Sequence, residues 1–396
     1  MASTSKPPRL EVFLIVLLDV MGLGLIIPGQ PFLAKNFGAT PGTITLIGTT
    51  YALMQFLLSP VWGGLSDRFG RRPILLTTLA MTAIGHLAFA SANSLALLFL
   101  ARALAGAGAA NISTAQAVLS DTHAPAERGR AMAIIGAAFG LGFVFGPALG
   151  GILFKIDHRA PALFAAALAA LNILFVFTRV PETSPFTGDA KSSRGKLFEF
   201  LRLDRDLQRL VFTTFLTITA FALMEQTIGL YIERTWVTAT ERAGMNEAAS
   251  LTSLFLVVVG ITAVGAQGYL VRKWLVRTPE ATLCRLGLLV IGVSLSIIPV
   301  LASLGSFSLF LLAAVLLALG SSMFNPSMAG LVSLTCPPDK QGIGLALNQS
   351  GQALGRIIGP TLAGALFAVG APAPFLTGAL LTCVAFVMAL PIRARR

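Results

Sequence analysis

Residues 127–154, ERGRAMAIIGAAFGLGFVFGPALGGILF, return as residues 340–367, KQGIGLALNQSGQALGRIIGPTLAGALF, at a constant offset of 213 positions. Gly129, Leu141, Gly142, Gly146, Pro147, Leu149, Gly151, Leu153 and Phe154 all recur, and SDTHAP (120–125) before the first copy echoes SLTCPP (333–338) before the second. Each copy is an apolar run long enough to cross roughly 30 Å of hydrocarbon, which takes about 20 helical residues. An internal period of this size in a chain of 396 residues means two related halves.

The composition agrees. With 55% hydrophobic residues, only 12% charged and a mean hydropathy of +0.81, the chain holds more apolar surface than one soluble core can bury. Apolar runs of spanning length recur at about 11–33, 43–65, 73–92, 95–120, 130–154 and 160–180, then 209–233, 248–271, 281–303, 306–332, 341–369 and 372–392. Backbone in lipid must satisfy its own polar groups, and runs this long do so as helices. The expectation is an all-α membrane protein of about twelve transmembrane helices, arranged as two pseudo-symmetric six-helix bundles over 1–180 and 209–396. Between them, 181–208 is the one long polar stretch: PETSPFTGDAKSS reads as linker and LFEFLRLDRDL as a short amphipathic helix on the membrane surface.

The net charge of +12 is distributed by side rather than as a nucleic-acid footprint. With the N-terminus inside, the outer face carries only Lys35, Lys155, Arg159, Arg234 and Arg242 of the Lys and Arg residues, and apart from Arg102 and Arg356 inside spans the other face carries the rest. The positive-inside rule therefore puts both termini in the cytoplasm of a multi-pass protein of the cell membrane. MASTSKPPRLEVF runs straight into a spanning segment without a cleavage site, which reads as no removable signal peptide. Cys284, Cys336 and Cys383 have neither disulfide-framework nor metal-ligand spacing. No phosphate-binding G-x-x-x-x-G-K-[ST] loop and no nucleophile arrangement occurs, so no enzyme activity, metal or cofactor is expected, and an ion gradient is the expected energy source.

Between the second and third spans lies GGLSDRFGRRP, residues 63–73, where Asp67, Arg68, Arg71 and Arg72 crowd among Gly63, Gly64 and Gly70. GYLVRKWLVR (268–277) is its decayed counterpart after span eight, with Arg272 where Asp67 stands. These residues carry a resemblance. GGLSDRFGRRP resembles the loop signature of the major facilitator superfamily, and GLGFVFGPALGG, with Gly142, Gly146, Pro147, Gly150 and Gly151, resembles its span-five antiporter signature. LLDVMGLGLIIPGQPFL and LFLARALAGAGAA are similar to the span-one and span-four patterns of the twelve-span drug:proton antiporters, in the branch of the tetracycline exporters. The resemblance covers essentially the whole chain. It implies a secondary transporter, with Asp19 in span one and Arg102 in span four as functional residues. Gly85 and His86 stand where the tetracycline exporters have a span-three acid, which points away from tetracycline itself as the substrate.

Four charges lie inside the spans: Asp19, Arg102, Glu225 and Arg356. Each costs about 2.5–3.5 kcal/mol near the bilayer centre unless paired or hydrated, so each is a functional candidate. Asp19 and Glu225 are the expected proton carriers, with Arg102 steadying the deprotonated acid as its signature implies. A structural ion pair is the alternative for Arg356. Helical spacing groups Asp19, Ile26 and Gln30; Arg102, Gly106, Ser113 and Gln116; Tyr51, Gln55 and Ser59; and Gln349, Gln352 and Arg356, with Asn325 at a further break, NPS. The substrate-cavity candidates among these are Gln30, Tyr51, Gln55, Ser113, Gln116, Asn325, Gln349, Gln352 and Arg356. Helix–helix glue is the competing reading for each single Ser or Gln. The cytoplasmic-gate candidates are Gly63, Asp67, Arg68, Gly70, Arg71 and Arg72, with Asp121 and Glu127 as partners for the arginines and the N-terminus of span eleven as partner for Asp67. The function this supports is export of small amphiphilic molecules, drug or metabolite, in exchange for protons, by a monomer whose partners are substrate, protons and the lipid bilayer. A proton-coupled importer of a sugar, amino acid or organic anion and a non-transporting sensor or scaffold are the alternatives.

Overall fold

The structure is a computed structural model that describes residues 9–111, 114–115, 118–119, 128–180, 182, 205–238, 241–267, 278–336 and 341–392. Its helices are α1 (Arg9–Ile26), α2 (Gln30–Lys35), α3 (Pro41–Phe69), α4 (Arg71–Ala90), α5 (Leu95–Gly108), α6 (Arg128–Ile156), α7 (Ala160–Arg179), α8 (Arg205–Trp236), α9 (Glu241–Gly265), α10 (Glu280–Ser303), α11 (Phe307–Thr335), α12 (Gln341–Val369) and α13 (Ala373–Ala389). Among the described residues there is no strand; nine helices are long and apolar enough to cross a membrane, and α5 and α13 are shorter apolar helices. With α1 and α2 taken as one span, the helices fall in the order of the twelve expected spans. The protein is a multi-pass membrane protein.

Two expected spans are interrupted. Span one breaks over residues 27–29, because Pro28 has no N–H to continue the helical ladder and Pro31 starts a fresh turn in α2. Asp19, Ile26 and Gln30 therefore do not share one helical face, as the sequence spacing suggested. Span four leaves its helix at Gly108, turns at Ala109–Ala110, and resumes at Asn111. Span seven starts earlier than its apolar run, since α8 opens at Arg205 with Asp206 in its first turn. The remainder of the linker reading, 183–204, lies outside the described residues, as do Ser113, Gln116, Asp121, Glu127 and Arg272.

The chain forms two compact units, Met1–Ala39 with Thr50–Ala190, and Thr40–Thr49 with Lys191–Arg396. In the first unit α1 packs on α6 and α7, and α4 packs on α5 and α7; in the second, α8 packs on α12 and α13, and α10 on α11 and α13. These pairings correspond one for one under the repeat. The tightest are made by glycines. A Cβ on Gly146 would lie 2.8 Å from Gly24 Cα and 2.9 Å from Met21 O, and Gly142 and Gly150 of α6 meet Val20 and Leu25 of α1. In the second unit Gly351, Gly355 and Gly359 of α12 meet Val211, Phe215 and Thr219 of α8 in the same fashion, as close as 3.0 Å to backbone oxygens. Gly142 and Gly146 are the repeat mates of Gly355 and Gly359, so the recurring glycines of the sequence are helix-crossing contacts.

A second device shares the offset. Arg72, at the start of α4, donates to Phe177 O and lies over the Phe177 ring at 5.2 Å. Arg285, 213 positions later in α10, donates to Leu390 O at 2.7 Å, and Leu390 is 213 positions after Phe177. Arg285 also reaches Ala389 O at 3.1 Å and Ile392 O at 2.8 Å. In each unit an arginine satisfies carbonyls at the C-terminal end of the sixth span, which no helical N–H can reach.

Because α6 touches α1 backbone to backbone, Gly146→Val forces the helices apart and should cost about 3 kcal/mol, the upper end of overpacking. Thermal unfolding in detergent should show the loss. Gly63→Ala, whose added carbon meets nothing within 4 Å, should melt like the parent.

Candidate functional site

In the first unit Asp19 sits at mid-length in α1, one residue before the crossing residue Val20. Its side chain is half-buried, Oδ1 is sealed from solvent without a hydrogen-bond partner, and the Asn111 side chain faces the carboxyl. Asn111 is itself 2% exposed, and its Nδ2 is likewise without a partner. The acid and the amide are thus together without a bond of full geometry between these two atoms.

Arg102 on α5 is 3% exposed. Its Nε donates to Gln30 Oε1 at 2.6 Å, and its guanidinium lies over the rings of Phe89 at 5.0 Å and Tyr51 at 5.8 Å. Among the described residues no carboxylate pairs with it, so the expected partnership of Arg102 with a proton-carrying acid is not made in this conformation. A cation held between ring faces gains about 2 kcal/mol where it is dry, which offsets part of the cost of its burial. His86 on α4 is 3% exposed, with Nδ1 unpartnered, and the Arg102 charge acts on it. A small cleft beside the break after α1 is lined by Gln30, Gly29, Phe89, Phe154 and His158.

The interruption of span four is supported from α3. Gln55 Nε2 donates to Ala109 O at 3.1 Å, and Trp62 Nε1 donates to Ala107 O at 3.0 Å. Above it, Gly106 lies directly on the Tyr51 backbone. Gln55, read from sequence as cavity-lining, thus serves the backbone of its neighbour, and Ser59 bonds back to Gln55 O at 2.7 Å. Broken helices whose freed carbonyls are held by side chains are where transporters build their sites.

In the second unit Glu225 on α8 is half-buried, and the charge that acts on it is Arg356 of α12. Arg356 and Gln349 are exposed, Gln352 is half-buried and Asn325 is exposed. The neighbouring Asn348 is buried and accepts from Thr214 Oγ1 at 2.6 Å, a direct tie between α12 and α8. Arg356 thus acts by its charge on an acid of span seven and is exposed on its unit.

The 63–73 loop resolves into a capped helix start. Gly70 has φ of +102°, which a side chain rarely adopts, and it lies against the Glu182 carboxylate, where a Cβ would not fit. Glu182 accepts from Arg71 N at 2.7 Å and from Arg72 N at 3.3 Å, so it caps α4 with an anion at the positive end of the helix. Arg71 pairs with Asp67 at 2.5 Å and donates to Ser66 Oγ at 2.6 Å. Arg68 is exposed over the Phe69 ring. The described partner of Asp67 is therefore Arg71, one turn on, and Glu182, in the stretch read from sequence as linker, serves the backbone N–H groups of Arg71 and Arg72; Asp121 and Glu127, the expected partners of the arginines, lie outside the described residues.

A family model described as "Major Facilitator Superfamily" matches residues 12–302 and 282–396. The chain belongs to the major facilitator superfamily. It is 32% identical over 392 residues to "Tetracycline resistance protein, class G" of Vibrio anguillarum, covering 96% of each protein. It is 27% identical over 360 residues, 91% of this chain and 89% of the relative, to "Quinolone resistance protein NorA" of Staphylococcus aureus strain MSSA476. Among solved structures, the human organic anion transporter MFSD10 is 25% identical with a TM-score of 0.71, over 97% of this chain and all of that one. A superfamily of transporters, with its fold of two related bundles, accounts for the pairing of helices in both units and for the absence of any enzyme-like arrangement in the sequence.

In this major facilitator, the loss of Glu182 should leave two N–H groups of α4 without an acceptor. Glu182→Ala is expected to cost about 1 kcal/mol, in the range of a lost helix cap, and to lower the melting temperature in detergent. Gly70→Ala should cost at least as much, through strain and displacement of the same carboxylate.

Proposed function

We propose that the protein exports small amphiphilic molecules, drugs or a metabolite, across the cytoplasmic membrane in exchange for protons. The observation that carries this reading is the Asp19 carboxyl, held in mid-span with one oxygen sealed and unpartnered. An anion there is costly, whereas the same group protonated is tolerated, so the site discriminates between proton-loaded and proton-free states. Glu225 offers a second acid whose charge is answered by Arg356. The resistance named in the tetracycline and quinolone relatives is what an exporter confers. Protons entering down their gradient drive the cycle, each charge crossing 100 mV supplying about 2.3 kcal/mol.

Gln30, Tyr51, Gln349, Gln352 and Arg356 are the residues proposed to meet the substrate, with Ser113, Gln116 and Asn325 beside them. The 63–73 loop is proposed as the cytoplasmic gate, its Asp67–Arg71 pair and the Glu182 cap holding α3, α4 and the end of α7 as one piece. Both termini are placed in the cytoplasm, and the transporter acts as a monomer with no nucleic-acid partner. A second reading is favoured by the exposed Arg356 and by the organic anion transporter among the structural relatives: the substrate carries an anionic group.

Everted vesicles carrying the protein and an internal pH dye test the exchange, since a transported compound should alkalinise the acidic lumen. Asp19→Asn and Glu225→Gln should each reduce this response at least tenfold; proton-coupled uptake that survives both substitutions sinks the reading. Asp67→Asn should insert normally and slow transport several-fold. An unchanged rate there would remove the gate.

A further inference from the structure

We infer that Asn111 is a positioning residue for proton coupling: its amide pairs with Asp19 in either protonation state and ties that state to the interruption of span four at Ala109–Ala110. The inference rests on Asp19 as proton carrier. Asn111 is 2% exposed and faces the Asp19 carboxyl, while Asp19 Oδ1 and Asn111 Nδ2 are both buried without partners. A carboxylate can only accept hydrogen bonds, whereas a carboxylic acid also donates; an amide carries a donor on nitrogen and an acceptor on oxygen. The deprotonated acid therefore calls for Asn111 Nδ2–H, and the protonated acid gives its O–H to Asn111 Oδ1. No proton passes to Asn111 in either state, and the amide changes only which atom it presents.

The position of Asn111 in the chain converts that change into backbone movement. Up to Gly108 the span is locked, since Gly106 rests on the Tyr51 backbone and Gly108 on Thr82 and Thr78 O. On either side of Gly108, Ala107 O and Ala109 O are held by the Trp62 and Gln55 side chains, bonds that exchange more readily than a helical ladder. Asn111 is the next helical residue after this loosened turn. Thr114, one turn on, also has a buried hydroxyl without a partner. The other titratable groups of this region are His86 of α4, which lies against Gly22 of α1, and Arg102 of α5, which acts on His86. On α6 and α7, the other helices against α1, the basic residues of the last turns are Lys155 and Arg179.

The test uses the full-length protein in liposomes, with protons as the only ligand. Infrared difference spectra across a pH step should contain a carboxyl C=O band that disappears in Asp19→Asn. Asn111→Val, which keeps bulk and removes hydrogen bonding, should move that band to higher wavenumber and displace its titration midpoint by about one pH unit, a tenfold change in proton concentration. Asn111→Thr matches valine in shape and retains a hydroxyl, and should restore both towards the parent. A band unmoved by Asn111→Val, or valine and threonine variants that behave alike, overturns the inference. Should the band respond as expected while Asp19→Asn still drives exchange, the pairing stands but Asp19 is not the carrier, and the role of Asn111 in coupling falls with it.

Discussion

The backbone contact of α6 with α1 is the constraint on which the first unit depends. Lipid tails are as apolar as leucine, so membrane helices gain little from mere burial and associate through close packing instead. Gly142, Gly146 and Gly150 allow that packing on Val20, Gly24 and Leu25, and in doing so they fix the rotation of α1 about its own axis. Asp19, the residue before Val20, is thereby turned to where Asn111 can face it. In the second unit Gly359 meets Ala222 and Thr219 of α8, and Glu225 follows Ala222 by three residues. The same kind of crossing sets the direction of both acids.

The buried charges are managed in different ways. Arg102 gives its Nε–H to Gln30 and lies over two ring faces, which offset part of the cost of its burial. Glu225 has an opposite charge across the helix pair. Asp19 is faced by the Asn111 amide, a neutral group that can both donate and accept.

Much of this could be read in the sequence. The recurrence of glycines and Pro147 at a fixed offset pointed to two related halves, and the apolar runs marked the spans, because hydrocarbon length and backbone satisfaction leave few options. Asp19, Arg102, Glu225 and Arg356 stood out as charges where charge is costly. What escaped was local backbone geometry. Pro28 stops the helix between Asp19 and Gln30, yet Pro60 and Pro147 lie inside continuous helices, so a proline alone does not say which will break. The turn at Ala109–Ala110 lies in an alanine- and glycine-rich run with no break signal, and its support comes from Gln55 and Trp62, some fifty positions away. Glu182 was hidden for a related reason: its use depends on α7 ending beside the start of α4, a tertiary fact that composition cannot carry.

The arginines at 72 and 285 mark what the two halves have in common. Each performs the same task on a carbonyl at the same offset, so the clamp is common to the two related halves. Glu182 has no such twin, since position 395 holds arginine. The two halves thus hold the end of their sixth span by one shared device, and the acid that caps α4 is not part of it.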